Sequence, residues 1–458
     1  MNFQFGAACL ATLLFVGLPA LSPAAAPLPA PTFTATQLRA DLREIERALH
    51  DMPADLAHSA DVAALESDIR DIDGKLEHTA PLDRDAAWRL FATLNPILAD
   101  GHLFVGFVDW RGDTRAHLAG GGRLFPFEVR VTPACDLSVR NDKPWSAVGL
   151  PQAYAHIRKV NGVPADAICE QMMARAHGDT RVFRADLLSR RFWFFYWKLY
   201  GAPETFSLTL DPGGTQLFKG RTELPEVLAV EEKFDRQFDL RRVANDQKGT
   251  SASTAILRLG SFAWPDKDQV VAFTRTAFES LQRWHIQNLI IDLRDNGGGN
   301  DDQWIEGVMP YIATKRWRTA STYRKRVVTP DPARGEVVGA VVDGEIESWY
   351  PAQPDNPLHF GGIVFVAVGP GTYSSAVVMS TVIQDFGFGR VIGPKDSVRA
   401  NSSGGTRRTT LTNSGLIVVA PRFVLTRPSG AKQPVLLTPD IPYDPQEPLV
   451  DFFWNSRQ

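Results

Sequence analysis

Residues 288–300 read NLIIDLRDNGGGN, and this segment decides the fold prediction. The run from Asn288 to Leu293 is short and mostly apolar, as expected of a strand in a sheet that is buried on both faces. Three consecutive glycines follow, and a helical pattern begins at about Asp301. A strand, a tight turn and a helix in this order predict an α/β fold. Glycines let backbone N–H groups turn toward a ligand, so the turn is suited to bind a phosphate or a developing oxyanion.

The phosphate alternative has no further support in the sequence. No Gly-Lys-Ser/Thr follows the glycines, and they do not form a G-x-G-x-x-G pattern. A plain flexible turn stays open as the other interpretation.

A second junction of the same kind carries a serine. Residues 371–377 read GTYSSAV and lie between an apolar strand predicted at 363–368 and a helix predicted at 374–386. A helix N-terminus stabilises negative charge on a serine oxygen, and the N–H of the next residue, Ser375, points to the same place. Ser374 is therefore the candidate nucleophile, and a simple helix N-cap is the alternative. The G-x-S-x-G pattern of α/β-hydrolases is absent.

The order of these motifs resembles that of the C-terminal processing (tail-specific) serine peptidases and of the tricorn core protease. D-L-R-x-N-x-G-G at 292–299 is followed, about eighty residues on, by T-x-S-S-A and a helix that ends in Q-D-F-G. A glycine loop at 403–405 and Pro439-Asp440-Ile441 come later in the same order. The resemblance implies an α/β (α+β multidomain) fold: a crotonase-like ββα catalytic core at 251–446, an N-terminal helical domain at 27–105 and a PDZ-like domain at 119–212. It implies no cofactor.

The family that the sequence resembles divides by its general base. One branch has a lysine about 25 residues after the serine, but that position is Arg399 here, and arginine stays protonated. Lys395 lies nearby at a poor spacing. The other branch takes a histidine from an upstream segment, which matches Asp100-Gly101-His102 at the end of the helical domain. We therefore predict His102 as the base, since its unperturbed pKa lies near working pH. A capping or surface role is the alternative.

The same branch has an acid, shortly before Pro-Asp-Ile, that orients the histidine. Residues 432–438 contain no carboxylate, and Gln433 occupies about that position. An amide can hold an imidazole tautomer, although it cannot offset the imidazolium charge. We predict a structural role for Asp440. The predicted oxyanion hole consists of the N–H groups of Gly297 or Gly298 and of Ser375.

The remaining parts of the chain give coarser predictions. Apolar stripes at helical spacing predict three helices between residues 34 and 100. The segment IRKVNGVP, at 157–164, predicts a strand and an Asn-Gly turn, and it resembles the late part of a PDZ-like domain. We expect residues 231–250 to be a charged connector and residues 329–362 to be a long loop.

The N-terminus predicts export. Residues 6–21 form an apolar run, and Ala24-Ala25-Ala26 fits a signal-peptide cleavage site, although no Lys or Arg precedes the run. An uncleaved membrane anchor is the alternative. Removal of residues 1–26 leaves Cys135 and Cys169, for which both a disulfide and free thiols stay open. A periplasmic or secreted location follows. The net charge of −3 gives no indication of nucleic-acid binding.

The sequence thus predicts an exported serine endopeptidase that acts on a protein or peptide through a Ser374 acyl-enzyme. Two alternatives stay open. One is a catalytically weak or inactive protein that binds a peptide or lipid on the same fold, and the other is an esterase or amidase for small molecules. No metal is expected, because no H-x-x-x-H pair and no C-x-x-C occur. The oligomeric state is not predicted.

Overall fold

The computed structural model describes residues 31–140, 155–243, 253–444 and 449. The predicted signal peptide at 1–26 lies outside these residues. From Thr32 onward the chain forms one compact unit. Among the described residues, no helix is both long and apolar enough to cross a membrane.

The front of the chain is mainly helical, as the apolar stripes predict. The third stripe is interrupted: its helix ends at Phe91, and a 3-10 turn and one short helix starting at Asn95-Pro96 continue it. Thr34, Asp61 and Asp83 cap the first three helices through their side chains. The elements are β1 (Thr32–Phe33), α1 (Ala35–Asp51), α2 (Val62–Leu76), β2 (Leu82–Asp83), α3 (Arg84–Phe91), α4 (Asn95–Leu98), β3 (Phe104–Gly106) and α5 (Trp110–Ala119).

The middle part is an antiparallel sheet with helices against it. Asn161 and Gly162 form the predicted turn between two of its strands. A disulfide joins Cys135 to Cys169. The PDZ-like assignment of 119–212 stays a prediction. The elements are β4 (Val129–Val131), β5 (Leu137–Val139), β6 (His156–Val160), β7 (Val163–Pro164), α6 (Ala165–Met173), α7 (Arg181–Tyr200), β8 (Thr205–Asp211), β9 (Gly214–Lys219), α8 (Glu226–Glu231), α9 (Phe234–Gln237) and β10 (Phe238–Arg242).

The predicted connector at 231–250 is not only a connector, since β10 lies in it and pairs with the first strand of the core. The predicted loop at 329–362 likewise contains a strand, which pairs with its neighbour at 322–326. Both strands contain charged residues, and these interrupt the apolar pattern by which a strand is predicted. The core elements are β11 (Thr254–Leu259), α10 (Lys267–Arg283), β12 (Asn288–Asp292), α11 (Asp302–Gly307), α12 (Met309–Ile312), β13 (Thr322–Arg326), β14 (Val341–Glu345), β15 (Ile363–Ala367), α13 (Ser375–Phe386), β16 (Arg390–Gly393), β17 (Ser403–Gly404), β18 (Arg407–Thr410), β19 (Ile417–Ala420), β20 (Phe423–Thr426) and β21 (Ile441–Pro442).

The central sheet has the strand order β10-β11-β12-β15-β16-β21. Its strands from β11 onward run parallel, and every residue of β12 is buried. The α/β class is therefore confirmed. Asp292 at the end of β12 pairs with Ala367 at the end of β15. Because parallel strands end at the same sheet edge, the glycine turn and the serine junction follow neighbouring strand ends.

A small sheet brings the front of the chain to this edge. Its order is β18-β19-β3, and the pairing of Val105 with Val418 joins β3 to the core. Since β3 begins two residues after His102, this pairing fixes where the histidine enters the site.

Candidate active site

Ser374 occupies a backbone conformation that L-residues rarely adopt. Its φ is 53° and its ψ is −124°, whereas α13 begins only at Ser375. Such strain persists where the surrounding structure enforces it, and it clusters at functional sites. The Ser374 hydroxyl makes no capping hydrogen bond. Ser374 thus occupies the N-cap position without capping the helix through its side chain, and its hydroxyl makes no hydrogen bond among the described residues.

Two hydrogen bonds lock the serine junction onto the glycine turn. The Thr372 hydroxyl donates to the carbonyl of Leu293 at 2.6 Å, and the N–H of Tyr373 donates to the carbonyl of Asn296 at 2.9 Å. Thr372 is fully buried. The position of Ser374 is thus set by the turn that follows β12.

Gly298 must be glycine because of this close approach. Its φ is +95°, and a Cβ built on it would lie 2.6 Å from the Ser374 Cβ and 2.9 Å from the Ser375 nitrogen. Both distances are shorter than the contacts that Cβ atoms make in proteins. The turn and the nucleophile junction therefore contact each other through backbone.

The three predicted oxyanion donors differ in whether their N–H groups are free to bind a substrate. The N–H of Gly298 donates to Oδ1 of the fully buried Asn296 at 2.8 Å, so it is not available to a substrate. The N–H groups of Gly297 and Ser375 make no hydrogen bond among the described residues. Gly297 is exposed and lines a cavity beside His102. The prediction of Gly298 as a donor is corrected on this geometry, and Gly297 and Ser375 remain as candidates.

His102 is held by a serine and an aspartate. Its Nδ1 lies 3.0 Å from Ser403 Oγ, and the Ser403 hydroxyl donates to Asp100 Oδ1 at 3.0 Å. Because a carboxylate only accepts, the Ser403 oxygen accepts the Nδ1–H of His102. This arrangement leaves Nε2 of the neutral ring with a free lone pair. The backbone N–H of His102 also donates to Asp100 Oδ1, at 2.7 Å.

The His102 ring packs against the residue before the nucleophile. The centroids of the His102 and Tyr373 rings are 4.8 Å apart. Among the described residues, His102 and Ser374 do not form a hydrogen bond with each other. The side chain of His102 is only 16% exposed, and this burial lowers its pKa, while the charge of Asp100 opposes that shift. His102 is therefore neutral near pH 7, as a general base requires.

A second buried carboxylate stabilises the loop that carries His102. The Tyr373 hydroxyl lies 2.7 Å from Asp179 Oδ1 and 3.0 Å from Asp100 Oδ1, and it accepts the N–H of Gly101 at 2.8 Å. Burial, and then the charge of Asp100, raise the pKa of Asp179 to about 6. Burial also raises the pKa of Tyr373, so its hydroxyl keeps its proton and can donate.

Arg399 supports the same loop and is not a base. Its guanidinium donates to the carbonyl of Ala99 at 2.5 Å, and its backbone N–H donates to Asp179 Oδ2 at 2.8 Å. Lys395 is exposed in a bend before it. The residue at the position of the family's lysine therefore anchors the segment that delivers His102. Among the described residues, no group of three or more His, Cys, Asp or Glu could hold a metal ion.

Comparison with known proteins agrees with this geometry. Residues 253–443 match the model of peptidase family S41, and this stretch contains the glycine turn, Ser374 and Ser403. Over residues 253–443 the chain is therefore similar to peptidase family S41. This match indicates a serine peptidase, and the resemblance to the C-terminal processing peptidases is confirmed.

Two solved structures share the fold of this chain at low sequence identity. A structure of mature CPAF complexed with lactacystin has a TM-score of 0.63 and 13% identity, and the match covers 89% of this chain and 94% of that chain. A crystal structure of mature CPAF gives 0.62 and 13%, with 89% and 92% covered. The photosystem II D1 C-terminal processing protease is 16% identical over 92% of this chain and 96% of its own, with a TM-score of 0.47. No curated protein sequence matches the chain.

The structure does not bring Gln433 to His102. Gln433 is exposed in the segment that precedes Leu437, and no hydrogen bond joins it to the histidine. The Nδ1 position that Gln433 was expected to occupy is taken by Ser403. Asp440 behaves as predicted, because it accepts the N–H of Val391 at 2.7 Å and the amide of Gln384 at 3.1 Å.

Three residues of this site were not predicted from the sequence. Ser403, Asp179 and Tyr373 contact the histidine segment from far along the chain, and 301 positions separate Ser403 from His102. The sequence signal for Ser403 is the S-S-G-G loop at 402–405, whose glycines alone fit the motif order. Asp100 is next but one to His102 in the sequence, and nothing in its spacing indicates a contact with Ser403.

Proposed function

We propose that this peptidase is an exported serine endopeptidase in which Ser374 forms the acyl-enzyme and His102 is the general base. The observation that carries the proposal is the strained Ser374 backbone beside two free N–H groups, with an oriented imidazole against the adjoining Tyr373. His102 Nε2 removes the Ser374 proton as the serine oxygen attacks the peptide carbonyl. The N–H groups of Gly297 and Ser375 bind the tetrahedral oxygen.

The second half of the reaction uses the same groups. His102 returns its proton to the leaving amine, which departs with the electrons of the C–N bond. A water molecule then gives its proton to His102 and attacks the ester carbon of Ser374. Release of the acid restores the serine hydroxyl.

Ser403 and Asp100 are proposed as positioning residues in place of Gln433. Ser403 fixes the tautomer of His102, and the buried charge of Asp100 offsets the imidazolium that forms during the reaction. The support is the unbroken path of 3.0 Å contacts from Asp100 through Ser403 to Nδ1.

Export and a periplasmic or secreted location are proposed from the apolar run at 6–21 and the small residues at 24–26. The Cys135–Cys169 disulfide supports this location, since such bonds persist in oxidising compartments. N-terminal sequencing of the exported protein should begin close to residue 27. Retention of residues 1–26 on a membrane-bound protein would contradict the cleavage.

Turnover of matched substrates tests the activity. We expect wild-type protein to cleave internal bonds of unfolded casein, and the Ser374→Ala variant, equally folded, to lose at least about 10³-fold in rate. Hydrolysis of small esters without peptide cleavage would favour an esterase. Peptide binding without hydrolysis of either substrate would favour a binding protein on the same fold.

A further inference from the structure

A cavity of about 680 Å³ opens beside the proposed catalytic groups. His102 and Gly297 are among its lining residues, so a side chain of a bound substrate close to the reacting bond can enter. The other walls come from α3, β3, α5, α7 and the β18–β19 hairpin. They combine polar and charged residues with six aromatic ones: Trp88, Phe104, Phe107, Trp110, Phe194 and Phe195.

Arg191 brings a partly exposed cation into this cavity, and the charges of Glu231 and Asp186 act on it without forming an ion pair with it. It lies on α7 at a kink, with φ −132° and ψ 23°. Its guanidinium stacks over the Trp110 ring at 4.2 Å. Among the described residues, no carboxylate pairs with it and none of its N–H groups donates a hydrogen bond. Burial lowers its pKa to about 9, so it still carries its charge at neutral pH.

The other arginines of the cavity wall differ in their partners. The side chain of Arg408, on β18, is exposed and makes no ion pair or hydrogen bond among the described residues, whereas Arg111 and Arg175 have partners. Arg111 is held by Glu231 through two bonds of 2.7 and 2.8 Å, and Arg175 donates to backbone carbonyls. Asp109, the acid in the cavity wall, already accepts the N–H of Gly112 at the start of α5. Arg191 therefore has a partly exposed fork of N–H donors that makes no hydrogen bond among the described residues and is open to an anionic ligand.

We propose that this cavity is a substrate subsite for a carboxylate, which binds to the guanidinium of Arg191. The inference rests on the proposed peptidase function. A planar carboxylate matches the guanidinium fork, and the stack on Trp110 holds the fork in place. The aromatic walls accommodate the aliphatic part of the same residue. Two sources have this chemistry: an Asp or Glu side chain, and the free α-carboxylate of a chain end.

Peptide capture tests the subsite without catalysis. Ser374→Ala protein is immobilised and offered a proteome-derived peptide library, and the retained peptides are identified by mass spectrometry. We expect Asp, Glu or a free terminus at one constant position. Synthetic peptides that carry Glu or Gln there, each with a free or an amidated terminus, distinguish the two sources. The preferred carboxylate should improve Kd by about 10- to 100-fold.

Arg191 variants link this preference to one residue. In the Ser374→Ala background, Arg191→Met should abolish the preference for the carboxylate, and Arg191→Lys should retain part of it. Arg275→Met is the matched control, because Arg275 is 71% exposed on α10 and outside the cavity. The Arg275→Met variant should prefer the carboxylate peptide to the same extent as the Ser374→Ala parent.

The outcomes separate the subsite from the proposed function. Equal binding of the carboxylate and amide peptides, or no capture at all, overturns the subsite, and this comparison needs no Arg191 variant. Carboxylate-dependent capture in a protein whose wild type cleaves nothing supports the subsite and refutes the peptidase mechanism. Cleavage of Glu and Gln peptides at equal kcat/KM would support the peptidase mechanism and refute the subsite.

Discussion

At the scale of single residues, the protonation state of His102 controls the proposed chemistry. Burial lowers its pKa, and the nearby charge of Asp100 raises it. The protonated ring cannot accept the Ser374 proton, so activity is lost as pH falls through the pKa of His102. Because burial is the larger effect, we expect this loss below the usual histidine value of about 6.5.

Asp100→Asn should move the loss of activity at low pH to a still lower pH. The substitution keeps the shape of the side chain and removes the charge that favours the imidazolium. We expect the apparent pKa in the pH profile of kcat/KM to fall, and kcat/KM at its plateau to fall by about 10²-fold or more. An unchanged or higher apparent pKa would show that Asp100 has only a structural role.

Some residues of the candidate site could be predicted from the sequence, and others could not. Ser374 was identifiable because its local sequence, the buried strand before it and the helix after it together mark the position. Ser403 was not, since its contact with His102 depends on how β17 and β3 are placed by other strands. The substitution of the family's acid by Gln433 was visible, whereas its replacement in space by Ser403 and Asp100 was not.

At the scale of elements, the glycine turn and the serine junction act as one unit. The turn follows β12, the junction follows β15, and the two contact each other through the backbone of Gly298 and the Cβ of Ser374. Their common position follows from parallel pairing, which the sequence predicted. The long helix α7 was not predicted, because the run RFWFFYWKLY is aromatic on all sides and gives no helical period.

Gly298→Ala should displace the nucleophile. The new Cβ would meet Ser374 and the backbone of Tyr373 at 2.6 and 2.7 Å, and φ is +95°. We expect kcat/KM to fall by about 10²-fold, since small misplacements of reacting groups have effects of this size. Gly335→Ala is the control: φ is +65° there, but nothing lies within 4 Å of the new Cβ. Equal activity of the two variants would contradict the close approach.

At the scale of the whole molecule, the site exists only where the front helices meet the core. Asp41 of α1 is fully buried and accepts the N–H groups of Asn413 and Ser414 at 3.0 and 2.8 Å. These residues lie in the turn before β19, the strand that pairs with β3. The domain limits predicted from the sequence divide the chain into segments, and they do not describe contacts between those segments.

Asp41→Ala should therefore weaken the junction between front and core. The change leaves the buried N–H of Ser414 and the partly buried N–H of Asn413 without their acceptor, and we expect it to lower the free energy of unfolding by about 3 kcal/mol. Urea denaturation followed by tryptophan fluorescence measures the loss. Asp68→Ala, on the surface of α2, should change the stability by less than about 0.5 kcal/mol. Equal stability of the two variants would contradict this role of Asp41.

Active-site labelling with a fluorophosphonate, located by peptide mass spectrometry, tests the central claim most directly. The account predicts one adduct on Ser374, its absence in Ser374→Ala, and a labelling rate at least about 10²-fold lower in His102→Ala. A folded wild-type protein that does not react, reacts at another serine, or reacts equally fast without His102 would contradict the account.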